Sequence, residues 1–382
     1  MKIAIPVFHF HKKGGIERHI WELVSQWEKE NEIHIFASRW DETSFKNVFF
    51  HKVPVIEKPE FLKGLSFLIN NSRMLKRGKF DVIINDGCGT TFVQDIIITE
   101  SVHKAWAEEF KKKGLKKLFL NPNHYITLFV EKFNYTRRRY KKIICISRFI
   151  QEQLIKYHGI PIEDTVVINH GVNLEEFSPL HRQKFYKEKR KQFGFSDKDF
   201  VILFVGHELK RKGLYYIFKA LELLKDERFK LLIVGAPKSH EVRKFKKIAS
   251  KMKIISQIFF TGISKNVSEF YAMADVFVFP SVFDAFAMVV LEAMASGLPV
   301  ITCPTVGASE LIENKKDGII LRSYDDVSGL VDNLKFLSQN TDILKKIGKN
   351  ARLKAEKYSW DRIAKETFEL LVDVCKKKVN LS

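Results

Sequence analysis

Two carboxylates, Asp284 and Glu292, have seven residues between them in the segment FDAFAMVVLEAMASGLPV, which begins at Phe283. A strand-like run, VFVFPS, precedes this segment, and the pattern predicts a helix that begins near Phe286 and ends at Gly297. Asp284 then lies in the loop before the helix, while Glu292 lies about two turns inside it. Because burying a carboxylate in so apolar a helix is costly without a polar partner, we expect Glu292 to bind a ligand or to accept a buried structural hydrogen bond.

The first turn of this helix offers hydrogen-bond donors. The backbone N–H groups of Phe286, Ala287 and Met288 have no acceptor inside a helix that begins there. We expect them to point into a ligand cleft, and we include the three residues in the candidate binding site.

A glycine pair follows the first strand-like run. In FHFHKKGGIERH, Gly14 and Gly15 lie where the loop turns into a helix. Glycine lets the backbone approach a phosphate closely, and free N–H groups at the start of a helix favour an anion. The motif lacks the third glycine of a G-x-G-x-x-G fingerprint, and the chain contains no G-x-x-x-x-G-K-[ST] sequence. The glycine pair alone is thus weak evidence for phosphate binding, and an ordinary turn before a helix explains the same residues.

A basic pair, Arg211 and Lys212, lies in FVGHELKRKGL, after the strand-like run at 200–206. A guanidinium can bind two phosphate oxygens and an ammonium adds a point charge, so the pair is suited to a diphosphate. A solvated basic loop explains the same residues equally well, and the residues by themselves favour neither interpretation.

Short β-rich runs alternate with amphipathic segments of helical length along the chain. The runs are continuously apolar rather than alternating, which predicts parallel sheets covered by helices on both faces, a doubly wound α/β fold. The runs lie at 2–8, 33–38, 82–85, 142–147, 166–169, 200–206, 230–235, 258–262, 276–281 and 299–303.

The predicted strands fall into two groups on either side of NHGVNLEEFSP at 169–179. We expect an N-terminal domain at 1–170, a C-terminal domain at 171–360, and a C-terminal helix at 361–382 that packs on the N-terminal domain. Because ligands bind at the carboxyl ends of parallel strands, two such domains facing each other predict a cleft that holds the site.

Composition and charge narrow the class of protein. The 382 residues are 45% hydrophobic, and the apolar runs are far shorter than the roughly 20 residues of a membrane span. The net charge of +20 predicts an anionic partner, such as nucleic acid, an anionic membrane or a phosphorylated substrate. Residues 104–142 alone contain 12 Lys and Arg against three Glu. The four cysteines are far apart, which argues against a disulfide framework or a zinc site and favours a reducing cytoplasm.

The chain resembles glycosyltransferase family 4, whose members have the GT-B architecture of two facing Rossmann-like domains. The resemblance rests on the glycine pair, NHGVNLEEFSP, RKG, FTG, YAMADVFVFPS and, most specifically, LEAMASGLPVI. Through GGIERH, RKG and the basic region, the chain is similar to the bacterial glucosyltransferases that extend the inner core of lipopolysaccharide. This implies transfer of a hexose, with retention of configuration, from a nucleotide sugar such as UDP-glucose to a glycolipid or lipopolysaccharide-core acceptor. The alternative within the family is transfer to another glycan or to a small molecule.

The resemblance implies a role for each candidate residue. Family members have two glutamates with seven residues between them. Glu292 matches the second, which holds the ribose hydroxyls, and Asp284 replaces the first, which contacts the transferred sugar, with a side chain one methylene shorter. Arg211 and Lys212 match the residues that bind the diphosphate, whereas His207 stands where many members have arginine. The glycine pair would help to neutralise the leaving diphosphate.

Five more residues are implied by position. His103, in ITESVHKAW, stands where many members have a histidine that binds a sugar hydroxyl, with Glu100 as the alternative. A single histidine is more often structural, so both interpretations of His103 stay open. Gly262 and Ile263 would contact the base through backbone groups, and Glu310 would support the diphosphate loop.

We expect no metal and no other cofactor, because the D-x-D sequence Asp197–Asp199 lies in a polar turn and no cluster has the spacing of a zinc site. The basic stretch 104–142 predicts an interfacial segment that rests on anionic lipid. The enzyme would then be cytoplasmic and peripheral on the inner face of the cytoplasmic membrane. The apolar members of the stretch are Trp106, Phe110, Leu115, Leu118 and Phe119.

Two other classes of protein would each explain part of the sequence. A nucleic-acid-binding protein would explain the charge but not LEAMASGLPV, and the chain contains no nucleic-acid recognition motif, so we expect no nucleic-acid partner. A GT-B epimerase or phosphorylase would share the fold, and the phosphorylase would require a lysine-bound pyridoxal cofactor.

Overall fold

The computed structural model describes residues 1–12, 14–112, 122–136, 139–237 and 239–379. The chain forms two compact units. Unit 1 contains Met1–His170 and the C-terminal helix that begins at Trp360, and unit 2 is Gly171–Ser359.

Unit 1 is an α/β unit. Its strands are β1 (Lys2–Pro6), β2 (His9–Phe10), β3 (Glu32–Ala37), β4 (Arg39–Trp40), β5 (Val48–Lys52), β6 (Val82–Asp86), β7 (Ile96–Thr99), β8 (Lys142–Cys145) and β9 (Thr165–Val167). Its helices before the C-terminal one are α1 (Ile16–Trp27), α2 (Glu60–Arg77), α3 (His103–Lys112), α4 (Pro122–Thr136) and α5 (Arg148–His158). Seven strands form a parallel sheet in the order β5-β3-β1-β6-β7-β8-β9, and β2 pairs with β4 in a separate ribbon.

Unit 2 repeats this architecture. Its strands are β10 (Phe200–Val205), β11 (Phe229–Val234), β12 (Ile258–Gly262), β13 (Val276–Phe279), β14 (Val300–Thr302) and β15 (Ile319–Ile320). Its helices are α6 (Leu180–Gln192), α7 (Leu214–Leu224), α8 (His240–Lys251), α9 (Ser268–Met273), α10 (Met288–Ala295), α11 (Val327–Gln339) and α12 (Thr341–Ala355). The six strands form a parallel sheet in the order β12-β11-β10-β13-β14-β15.

The last helix, α13 (Trp360–Val379), belongs to unit 1 and packs on α1. The Trp27 indole of α1 donates a hydrogen bond of 2.9 Å to the carbonyl oxygen of Ala364, and its ring lies 6.4 Å from the ring of Phe368. A buried indole that finds both an acceptor and an apolar neighbour on one helix anchors that helix firmly.

The prediction of a doubly wound α/β fold is confirmed. The central strands are apolar throughout because helices cover both faces of each sheet; Ile202, Leu203 and Phe204 of β10, for example, are all fully buried. The sequence analysis missed three strands of the main sheets. β5 lies at a sheet edge and is only half-buried, β7 has just four residues and β15 has two, so none of them gives a long apolar run.

The predicted start of the helix in the carboxylate segment is wrong by two residues. The helix α10 begins at Met288 and ends at Ala295. Ala287 precedes it in the left-handed region, with φ 71°. This conformation costs about 1–2 kcal/mol for a residue other than glycine, and it ends the loop that carries Asp284.

Candidate active site

Glu292 lies inside α10 and is only 7% exposed. Its Oε2 lies 3.0 Å from the hydroxyl of Tyr271, on α9, and the same hydroxyl lies 3.2 Å from the carbonyl oxygen of Val289. Tyr271 is a polar partner of the kind expected from the apolar sequence around Glu292. The hydrogen bond from Tyr271 fixes the Glu292 side chain. Because a carboxylate can accept several hydrogen bonds, this one is compatible with further bonds from a ligand.

Asp284 lies in the loop between β13 and α10. Its backbone N–H donates to the carbonyl oxygen of Thr305 at 3.0 Å, and its carbonyl oxygen accepts from the N–H of Gly307 at 2.9 Å. The loop is therefore held on both sides by the segment that follows β14. The Asp284 carboxylate faces two cations: its Oδ2 lies 3.5 Å from the Arg211 guanidinium and 3.7 Å from the Lys212 ammonium.

Arg211 is held by several acceptors. Its guanidinium donates to the carbonyl oxygen of Phe283 and to the carboxylate of Glu208, with a shortest distance of 2.6 Å to Glu208. Burial opposes the charge, but the hydrogen bond to Glu208 and the charge of Asp284 raise the pKa of Arg211. The guanidinium is thus a fixed cation at the carboxyl ends of β10 and β13.

The loop that carries Arg211 and Lys212 is packed against the end of β13, so it is not an open solvated loop. The N–H of Val282 donates to the carbonyl oxygen of Arg211 at 2.9 Å, and the Lys212 ammonium lies 5.2 Å from the Phe279 ring centroid. Gly213 makes this approach possible: its φ is +81°, and a Cβ there would lie 1.9 Å from the carbonyl oxygen of Pro280.

Phe286, Ala287 and Met288 were predicted to offer free backbone N–H groups at the start of a helix. Phe286 is buried, and its carbonyl oxygen accepts from the N–H of Ala308 at 2.7 Å. Phe286 and Ala287 precede the helix, so the first-turn donors begin at Met288 and not at Phe286, which corrects the prediction. The Ala308 contact ties the entry to α10 to the 3-10 turn Gly307–Leu311, which carries the predicted Glu310 as an exposed residue.

Gly262 and Ile263 lie at the carboxyl end of β12. Gly262 has φ +79°, and its carbonyl oxygen accepts from the N–H of Gly235 at 2.8 Å. Ile263 is 74% exposed. His207, where family members often have arginine, is exposed and lies 4.0 Å from the Glu208 carboxylate.

In unit 1 the glycine pair lies at the start of α1. Gly14 has φ +96°, and a Cβ there would lie 2.8 Å from a carboxylate oxygen of Glu17. Gly15 is the residue that precedes the helix, and no side chain caps it. The first N–H groups of α1 have no acceptor within the helix, as the phosphate-binding interpretation requires.

His103 is the first residue of α3 and is half-buried. Its Nε2 lies 2.8 Å from Nδ1 of His124, on α4, and its ring stacks on Trp106. Burial and the neighbouring His124 lower the pKa of His103, while the charge of Glu131 opposes this shift. His103 is therefore disposed to be neutral, with one ring nitrogen engaged by His124.

Glu131 and His124 are site residues that the sequence analysis missed. The Glu131 carboxylate accepts from the backbone N–H groups of His103 and Lys104, so it caps α3 from a different helix. The two residues lie 21 and 28 positions after His103 in the sequence, and no local pattern relates them to it.

Glu100 lies in a buried cluster with two histidines. Its Oε1 accepts from Nδ1 of His19 at 2.9 Å and from Nε2 of His170 at 3.1 Å. Although burial favours the neutral acid, the two histidines hold the pKa of Glu100 well below its usual range. Among the described residues this is also the group whose metal-ligating atoms lie within 4.8 Å of one another. Glu100 thus faces His19 and His170 instead of lining the cavity near His103.

A cavity of about 410 Å³ lies in unit 1. We call it the unit 1 cavity. Its walls come from the loops after β6 and β7 and from the helices α2 and α4. The lining includes His103, Lys63, Phe8, Gly87 and Glu131.

The D-x-D sequence forms a turn at the opposite, amino end of β10. The carboxylate of Asp199 accepts from the N–H and the hydroxyl of Ser196, at 2.6 and 2.9 Å. The hydrogen bonds of the Asp199 carboxylate thus lie within the polar turn that the sequence analysis predicted.

Solved structures of similar fold identify the architecture. WaaG, a glycosyltransferase involved in lipopolysaccharide biosynthesis, has a TM-score of 0.80 with this chain at 19% identity, over 97% of this chain and 99% of WaaG. Anabaena Alr3699/HepE in complex with UDP-glucose has a TM-score of 0.73 at 16% identity, over 98% and 100% of the two chains. The fold is that of the GT-B glycosyltransferases.

The sequence comparisons give the family. Residues 13–176 match the model of Glycosyltransferase Family 4, and residues 185–354 match the model of Glycosyl transferases group 1. An uncharacterized glycosyltransferase of Methanocaldococcus jannaschii is 26% identical over 397 residues, which span 96% of this chain and 97% of the relative. The chain belongs to the glycosyltransferases that combine these two domains.

Proposed function

We propose that this glycosyltransferase moves a hexose from a UDP-sugar, with UDP-glucose as the favoured donor, and retains the anomeric configuration. The observation that carries the proposal is the position of Arg211, Lys212 and Asp284 at the carboxyl ends of β10 and β13, next to the loop that enters α10. The complex of HepE with UDP-glucose, a protein of the same fold, supports the choice of donor.

Arg211 and Lys212 are proposed to stabilise the departing diphosphate. As the bond between sugar and phosphate breaks, negative charge grows on the leaving oxygen, and cations that are already in position stabilise it without reorganisation. Arg211 is fixed by Phe283 and Glu208, and Lys212 lies against the Phe279 ring. Gly14, Gly15 and the first N–H groups of α1 that follow them offer the same kind of anion site in unit 1.

Glu292 and Asp284 are proposed to hold two parts of the donor. Glu292 would accept hydrogen bonds from the ribose hydroxyls while Tyr271 fixes its side chain. Asp284 would accept from a hydroxyl of the transferred sugar. A hydrolase-like scheme would need two carboxylates about 5 Å apart at the scissile bond, and Glu292 is engaged with ribose, so we assign no nucleophile. A leaving phosphate oxygen would take the proton of the acceptor hydroxyl on the same face.

The unit 1 cavity is proposed to bind the acceptor, a saccharide of a glycolipid or of a lipopolysaccharide core. His103 lines this cavity, and its disposition to be neutral suits hydrogen bonding to a sugar hydroxyl. The involvement of WaaG in lipopolysaccharide biosynthesis supports this class of acceptor.

The surface of α4 is proposed to rest on anionic membrane. Tyr125 and Phe129, one turn apart, are 55% and 60% exposed, and the Arg139 guanidinium lies 4.1 Å from the Phe133 ring centroid nearby. Of the residues predicted for this role, Trp106 instead packs on His103. The side chain of Phe110 and the whole of Leu115, Leu118 and Phe119 lie outside the described residues. Within the described part of the chain, none of the helices combines the length and the apolar character that spanning a bilayer requires.

A thermal-shift panel of nucleoside diphosphates tests the donor proposal. UDP and UDP-glucose should raise the melting temperature, and Arg211→Gln should abolish the rise. Arg228→Gln is the control, because Arg228 pairs with Asp226 in an exposed turn at the amino edge of the same sheet. Release of UDP from UDP-glucose in the presence of acceptor then tests transfer. If a nucleoside diphosphate with another nucleobase raises the melting temperature and UDP does not, the assignment of a UDP-sugar as donor is wrong.

A further inference from the structure

A cluster of basic side chains lies beside the unit 1 cavity and has no part in the donor chemistry proposed above. The ribbon of β2 and β4 places His9 directly next to Arg39 in the parallel register. The His9 ring lies 6.3 Å from the ring of His11 and 4.8 Å from that of Phe8. The ribbon follows β1 and β3, so it lies at the carboxyl edge of the unit 1 sheet, where ligands of such sheets bind.

Lys63, on α2, connects this cluster to the cavity. Lys63 and Phe8 both line the cavity, and the Lys63 ammonium lies 5.8 Å from the Phe8 ring centroid. The side chain of Lys63 is 15% exposed, so its stem is packed while its charge stays at the cavity wall. A ligand in the cavity would reach this ammonium and the neighbouring ribbon together.

The charges of this cluster are incompletely balanced. Lys63 pairs with Glu57 at 3.0 Å, but the Glu57 side chain is 61% exposed. Arg39 makes no ion pair within the described part of the chain, and Nε2 of His9 has no hydrogen-bond partner there. Burial and the charges of Arg39, His11 and Lys63 lower the pKa of His9, opposed by Glu17 alone. An anion placed among these groups would gain charge-assisted hydrogen bonds and would relieve their mutual repulsion.

We propose that His9, Arg39 and Lys63 bind an anionic substituent, a phosphate or a carboxylate, of the acceptor saccharide. The proposal rests on the assignment of the unit 1 cavity to the acceptor. A guanidinium with an ammonium and an imidazole matches the several oxygens of such a group, whereas a neutral sugar would leave the Arg39 guanidinium without an ion-pair partner. The apolar face of Phe8 would lie against the sugar ring that carries the substituent.

Histidine NMR with simple anions tests this directly. The imidazole pKa of His9 is measured in protein with labelled histidine, with its signal assigned by His9→Gln, in phosphate, acetate and chloride at equal ionic strength. Saturating UDP is present in one series, so that Arg211 and Lys212 are occupied. Phosphate should raise the pKa of His9 and chloride should not, because a bound anion favours the protonated ring. An effect of acetate as large as that of phosphate would assign the substituent to a carboxylate.

Variants locate the site. Arg39→Gln and Lys63→Gln should each weaken phosphate binding at His9 about tenfold, the usual effect of losing one charge-assisted hydrogen bond. Lys29→Gln removes the same charge from an exposed lysine beyond the other end of α1, and it should leave phosphate binding at His9 unchanged. A phosphate response at His103 with none at His9, or equal binding in all variants, would overturn the proposal. If UDP still binds while His9 does not respond, the acceptor inference fails and the donor function stands; if UDP also fails to bind, the donor proposal fails independently.

Discussion

The ammonium nitrogen of Lys212 lies 3.7 Å from Oδ2 of Asp284, and the Arg211 guanidinium lies 3.5 Å from the same oxygen. Glu208 lies 2.6 Å from the Arg211 guanidinium, so two carboxylates balance the two cations. In the proposed function, a diphosphate bound to the cations brings its own negative charge, so Asp284 would become available to accept from a sugar hydroxyl. We therefore propose that donor binding exchanges one partner of Asp284 for another.

Replacing Lys212 tests the cationic side of this exchange. Lys212→Gln should weaken UDP binding by about tenfold or more, because a charge-assisted hydrogen bond is worth about 1.5–3 kcal/mol. Isothermal titration with UDP measures the change, and Arg228→Gln serves as the charge-matched control. Unchanged affinity in Lys212→Gln would remove this lysine from the diphosphate site.

Replacing Asp284 tests the anionic side. Asp284→Asn keeps the shape of the side chain but removes the charge that competes with a diphosphate, so UDP should bind as tightly as before or more tightly. The transfer rate should fall by about 100-fold, the usual effect of losing one preorganised polar contact to the reacting group. Steady-state rates and UDP titrations on one preparation separate the two effects. Asp199→Asn, in the turn before β10, is the control, and parallel losses of affinity and rate would contradict the exchange.

The sequence predicted the fold well because its evidence is local. Continuous apolar runs such as FVILFV in β10 report burial on both faces of a sheet without reference to any distant residue. β5 escaped detection because edge strands are half exposed, and VFFHK carries no continuous apolar signal. The left-handed Ala287 delayed the start of α10, since no glycine or asparagine marks that position.

The candidate site could be predicted only in part, for a physical reason. Arg211 and Asp284 each carry a recognisable local pattern, but their pairing joins loops 73 positions apart. The partners of His103 and Glu100 come from other helices and loops, and sequence periodicity contains no information on such contacts. The cluster of His9 and Arg39 likewise depends on the register of a two-residue ribbon.

His124 should position His103 and tune its ionisation. Because His124 contributes to lowering the pKa of His103, His124→Asn should raise that pKa. If neutral His103 is the active form, activity is lost below this pKa, so the acid limb of the kcat/KM profile should move to higher pH. His240→Asn, at the exposed start of α8, should leave the profile in place. A lower rate with an unmoved acid limb would reduce His124 to a packing role.

The aromatic side chains of α4 should carry membrane binding. The double replacement Tyr125→Ser and Phe129→Ser should reduce flotation with anionic vesicles by at least about tenfold, because two apolar side chains no longer enter the interface. Leu223→Ser, on α7 of unit 2, is matched in exposure at 57% and should bind normally. Vesicles of neutral lipid should bind the unaltered protein weakly. Flotation that changes neither with lipid charge nor with the α4 replacements would exclude this surface as the membrane-binding site.

The Glu100 cluster should make unit 1 sensitive to acid. Glu100 has a folded pKa far below its ordinary 4.5, so its stabilisation is full above that pH and is lost as pH falls further. Burial also lowers the pKa of His19 below 6.5. As pH falls, His19 is therefore protonated in the unfolded chain before it is protonated in the folded one, so this group too makes the folded protein less stable in acid.

Glu100→Gln tests this coupling. At neutral pH it should lower the free energy of unfolding by about 1–3 kcal/mol, because the buried histidines lose a charged acceptor. It should also flatten the dependence of that energy on pH in acid. All five tryptophans lie in unit 1, so urea unfolding followed by tryptophan fluorescence reports on this unit. Glu313→Gln, which breaks an exposed pair with Lys316 in unit 2, is the control and should change little. An acid dependence in Glu100→Gln as steep as in the unaltered protein would show that other groups set the acid stability of unit 1.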